Sequence, residues 1–173
     1  IGHIMKKYNV IEYKSPEDSM TIDDFYKTVG YACLYKGYGK TVNEIPLSEL
    51  TVSLFREAYP RELFAMLEDA GHHIEEKYPG IYYVTNHLPF PAQIVVTKQL
   101  SPESHSSLRI LSEHAEKSDI ERFLQSVQQY TSPEDRNNID AVLQVSVTAN
   151  YDLYQEVRRE SIMCQALQEL MKD

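Results

Sequence analysis

Two side chains of opposite charge stand two residues apart near the start of the chain, Glu12 and Lys14 in "NVIEYKSP". The residues around them, Val10, Ile11 and Tyr13, favour a strand, and in a strand side chains alternate between faces. Glu12 and Lys14 therefore share one face, and Ile11 and Tyr13 share the other. A carboxylate and an ammonium side by side at a strand end suit metal-assisted hydrolysis. The carboxylate offers oxygen to Mg2+, a hard cation. The metal acidifies a bound water, and the lysine orients that water or offsets developing negative charge. The same pair is also what a solvated ion pair on the polar face of a half-buried strand looks like, and E-x-K alone does not choose between the two.

The elements that must position the pair are readable from spacing. Residues 8–14 predict a strand, and "SPEDSM" predicts a turn. Thr21 and Asp24 predict a capping box, opening a helix that runs to about Lys36. Ile22, Phe25, Tyr26, Val29, Ala32 and Cys33 follow helical spacing, and Tyr31, Leu34 and Tyr35 make the opposite side apolar too, so this helix is expected to be mostly buried. Gly30 in its middle predicts close packing against a neighbour. "LTVSLF" predicts a second strand over residues 50–55. Pro60 opens a short helix that Gly71 ends. Pro79-Gly80 predicts a hairpin turn, and "QIVVT" another strand. After Leu100 the pattern turns helical, with starts near Ser101, at Ser118 or Asp119, at Ser132 and near Asp152. Ser-Pro-Glu occurs at Ser15, Ser101 and Ser132 at unequal spacings, which is start chemistry reused, not a repeat.

"NVIEYKSPEDSMTIDDFYKTVGYACLYKG", with the strand at residues 50–55, resembles the second half of the core of the PD-(D/E)XK nuclease superfamily. It is most similar to the bacterial recombination-promoting nuclease and transposase group and its uncharacterised relatives. The resemblance implies an α/β fold: a fragment of a mixed sheet flanked by helices over residues 1–99, followed by a helical part over residues 100–173. It implies a Mg2+- or Mn2+-dependent DNA endonuclease linked to mobile elements. Glu12 would be a metal ligand, the backbone carbonyl of Tyr13 a further oxygen donor, and Lys14 the catalytic lysine. Lys27 and Tyr31 match a polar residue four before a tyrosine that faces the site in related nucleases; otherwise they are a snorkelling lysine and a packed core tyrosine. The superfamily also places an Asp on a strand before E-x-K, and no acid precedes Glu12. A chain cut at its start, a degenerate member or a sheet completed by a second chain would each account for that; the cut is the expectation. Residues 1–173 alone are then expected to be weakly active or inactive. A non-catalytic interaction or dimerisation module on the same scaffold is the alternative.

The remaining composition narrows the classes. Of 173 residues, 42% are hydrophobic and 25% charged, as in an ordinary globular chain. The net charge of −9 argues against a general nucleic-acid binder but leaves room for a local basic cleft. No apolar run approaches the roughly 18 residues of a membrane span, and the first ten residues lack a signal-peptide layout, so a cytoplasmic protein off the membrane is expected. The cysteines, Cys33 and Cys164, read as buried free thiols. The six histidines lack zinc-finger spacing and H-E-x-x-H, His105 has no nucleophile elbow, and "GYGKT" follows a helix where a P-loop follows a strand.

Overall fold

Residues 8–13 form the first strand because Val10, Ile11 and the tyrosines fit a pleated surface, and beyond it the Asp18 N–H donates to the Ser15 carbonyl. The computed structural model describes the backbone of residues 1–15 and 17–170, and side chains as far as Glu160. It is an α/β protein. The described chain divides into two compact units, Ile1–Leu100 and Ser101–Asp173.

The first unit is a five-stranded mixed sheet. Its strands are β1 (Tyr8–Tyr13), β2 (Leu50–Arg56), β3 (His73–Tyr78), β4 (Ile81–Thr85) and β5 (Ala92–Val96). They lie in the order β1-β2-β5-β4-β3. β1 and β5 both run parallel to β2, while β4 is antiparallel to β5 and β3. β2 and β5 are the interior of the parallel part, and they read as near-continuous buried runs. Helix α1 (Ile22–Lys36) makes the crossover from β1 to β2, and α2 (Arg61–Asp69) precedes the hairpin. The hairpin turns at Pro79-Gly80, with Gly80 at φ +72°.

The sheet face that carries Val10, Val52, Leu54, Ala92, Ile94 and Val84 packs with Phe25 and Ala32 of α1 and with Leu63, Phe64 and Leu67 of α2 in one core. N-terminal residues lie on the other face. There the carbonyl of Ile1 accepts from Gln93, His3 stacks on Tyr78, and Ile4 is buried. β1 is an edge strand, with Ile11 and Tyr13 54% and 53% exposed.

Several expectations change. α1 buries one face only, through Phe25, Thr28 and Ala32. Tyr31 and Leu34 are exposed on its outer side, while the part-exposed Tyr26 and Tyr35 flank the buried face, Tyr26 reaching His72 and Tyr35 packing on Tyr8. Cys33 is exposed on that side, not buried; the side chain of Cys164 lies outside the described residues. Gly30 is not a close-approach glycine, since a Cβ there would meet nothing within 4 Å.

The second unit is helical: α3 (Pro102–Arg109), α4 (Lys117–Ser126), α5 (Pro133–Ala149) and α6 (Tyr151–Leu170). Ser132 caps α5 by accepting from the Asp135 N–H, with Pro133 behind it. Ile110, Ile120, Phe123 and Val157 form its core. A buried ion pair, Arg109 Nε to Asp119 at 2.7 Å, ties α3 to α4. Among the described residues no helix is long and apolar enough to cross a membrane.

Candidate active site at the end of the edge strand

The alternation of β1 places Tyr8, Val10, Glu12 and Lys14 on the side that faces α1, and the Tyr8 ring packs against Tyr35 near the other end of that helix. Lys14 stays in the ladder although the strand formally ends one residue earlier: its N–H donates to the carbonyl of Phe55 at 2.9 Å. Glu12 and Lys14 are thus fixed by β2 and lie against the first turn of α1.

That turn supplies a residue the spacing of Glu12 and Lys14 does not reveal. Asp24 uses its two oxygens for different tasks. Oδ2 accepts from the Thr21 N–H at 3.0 Å and from the Thr21 hydroxyl at 2.8 Å, while the Asp24 N–H donates to Thr21 Oγ1, which is the expected capping box. Oδ1 faces the strand, 2.8 Å from Lys14 Nζ and 3.6 Å from Lys27 Nζ. Glu12 lies 3.7 Å from the same Lys14 ammonium. Two carboxylates therefore converge on one lysine, with a second lysine at the rim. Asp24 is legible as a cap; its second role depends on the helix start lying back over the strand end.

The electrostatics follow from this geometry. Partial burial by itself would raise the Asp24 carboxyl, but the Lys14 ammonium and the Thr21 donors outweigh it and hold the group well below the usual carboxylate range. The hydrogen bond to Asp24, with Glu12 nearby, raises Lys14 above its ordinary value of 10.5. Lys14 is a fixed cation at neutral pH. With two carboxylates and two ammoniums, the cluster sums to zero charge.

The expected site residues separate into two groups. Glu12, Lys14 and Lys27 meet. Tyr31 shares the helix face of Asp24 and Lys27 but lies seven residues on, about 10 Å along the axis from Asp24. It is 52% exposed, so it is not a packed core tyrosine. Tyr13 points its side chain to the far face. Because alternate residues of an edge strand send their backbone groups to opposite sides, and Lys14 sends its own to β2, the Tyr13 carbonyl is directed to the open edge. His72 has a structural place: it is buried, with Nε2 2.9 Å from the Tyr26 hydroxyl and Nδ1 2.9 Å from the Asn86 carbonyl.

Among the described residues no group of three or more His, Cys, Asp or Glu side chains gathers as a metal cage. Glu12 and Asp24 are two oxygen donors, and Mg2+ is commonly held by one or two carboxylates with substrate phosphates completing its shell. The donor set thus suits a hard divalent ion that arrives with an anionic substrate, and it does not suit zinc. Scans of family models, curated proteins and solved structures found no match to this chain.

Proposed function

We propose that the chain acts in metal-dependent hydrolysis of DNA phosphodiesters, as an endonuclease of the PD-(D/E)XK type associated with mobile elements. The observation that supports it best is the convergence of Glu12 and Asp24 on Lys14 at the carboxyl end of β1. Ligands of open α/β sheets gather at that end of parallel strands. Mg2+ or Mn2+ would be held by Glu12, with the Tyr13 carbonyl and Asp24 as further oxygen donors, and when bound it lowers the pKa of a coordinated water.

The chain's own residues do the rest. Lys14 is held as an ammonium, so it serves as a charge stabiliser for the developing phosphorane and an orienter of water, and it is not the general base. Asp24 positions Lys14 through its 2.8 Å contact. Lys27, half-exposed at the rim, meets phosphates of the incoming strand.

A second reading, a non-catalytic interaction or dimerisation module, is favoured by a different observation. The open edge of β1 and the aromatic outer side of α1 leave apolar groups in solvent. Plasmid nicking by the full-length natural protein in Mg2+ or Mn2+ separates the two. Nicking abolished by Glu12→Ala and by Lys14→Ala supports the nuclease. No nicking from a folded protein leaves the interaction module.

A further inference from the structure

The three parallel strands end on the same edge of the sheet, and each leaves a cation there: Lys14 after β1, Arg56 at the end of β2, and Lys98 two residues beyond β5. Arg56 stands apart in its bonding. Lys14 and Lys27 are engaged by carboxylates. Among the described residues no acid lies within ion-pair distance of Arg56, and its Nε is buried with no hydrogen-bond partner. A charged donor taken out of water and left without an acceptor is costly, so such a group in a folded protein commonly marks a place for an anion.

Its position says where that anion would sit. The β1–β2 register sets Tyr13 opposite Phe55, and the Lys14 N–H continues the ladder to the Phe55 carbonyl. Arg56 is thus the cross-strand neighbour of Lys14, about 5 Å away between backbones, and the two side chains rise from the same face of the sheet. Arginine presents a planar fork that matches two oxygens of one phosphate.

We infer that Arg56 is the anion anchor of this cluster, binding a backbone phosphate of a nucleic acid beside Lys14. The choice of a phosphodiester rests on the nuclease reading; the anion site rests on the buried, unpartnered Nε of Arg56 and its place beside Lys14.

The test is binding without cleavage. A fluorescent DNA duplex is titrated with the protein in EDTA, and pyrophosphate is used as a second probe. Arg56→Gln should weaken duplex binding about tenfold at low salt and reduce the slope of log K against log salt by about one. Arg56→Lys should recover the slope and only part of the affinity. The urea midpoint of neither variant should fall below that of the parent, as loss of a structural role would make it. Equal affinity and slope in Arg56→Gln, or no binding of either probe by the parent, overturns the inference. Nicking with Arg56-independent binding would overturn it and leave the nuclease standing. Arg56-dependent binding with no nicking would do the reverse.

Discussion

Replacing Asp24 by Asn tests the electrostatics of the cluster, because it removes the charge yet leaves an oxygen for the Thr21 cap. Asp24 and Lys14 meet at 2.8 Å, with side chains 14% and 17% exposed. Fully exposed pairs contribute 0–1 kcal/mol, and hydrogen bonds to charged groups up to about 3 kcal/mol. A pair covered to this degree should contribute about 1–2 kcal/mol. A double-mutant cycle of Asp24→Asn with Lys14→Met should return a coupling of that size. Asp24→Ala should cost about 0.5–1 kcal/mol more than Asp24→Asn, since it also breaks the reciprocal cap. The readout is hydrogen exchange of β1 and α1 peptides in urea, which follows this unit apart from the helical one. The pH dependence has a fixed sign. Asp24 is depressed on folding, so its contribution is complete above its ordinary value of 3.8 and is lost as pH falls toward its folded value. Lys14 is raised, so its contribution is complete below 10.5 and lost as pH rises through its folded value. The coupling should be flat from about pH 5 to 9 and shrink on both sides. A coupling below about 0.3 kcal/mol at pH 7 would refute the claim that Asp24 holds Lys14.

Two further substitutions probe the scaffold. Gly30→Ala places a methyl in open space within a helix and should stabilise the α/β unit by about 0.5–1 kcal/mol, read in the same exchange experiment. Gly80→Ala should destabilise it by about 2–4 kcal/mol. The backbone there is at φ +72°, and a Cβ would stand 2.7 Å from the Val96 carbonyl oxygen, 2.8 Å from the Gln99 backbone and 2.9 Å from the Leu100 nitrogen. A neutral Gly80→Ala would mean the hairpin turn is looser than this packing.

Local chemistry made much of the scaffold legible. The capping box at Thr21, the Pro79-Gly80 turn and the Ser132 cap with Pro133 at the start of α5 each specify their own neighbourhood, and the structure places all three as their residue types require. The α/β class follows from the same alternation of strand and helix patterns. What failed was whatever depends on a partner distant in sequence. The apolar residues around α1 give no way to choose which side the sheet covers, and Tyr31, Leu34 and Cys33 lie outside the interior that their spacing predicts. Asp24 was fully explained by its cap, which hid its other oxygen. Arg56 stands beside Lys14 only through a strand register that sequence does not state.

The central claim is that Glu12 and Lys14 are one catalytic unit, and plasmid nicking by the full-length protein in Mg2+ or Mn2+ addresses it most directly. The account predicts metal-dependent nicking that Glu12→Ala and Lys14→Ala each abolish, with exchange protection of β1 and α1 retained in both variants. Unchanged nicking in either variant, or none from the folded parent, would contradict it.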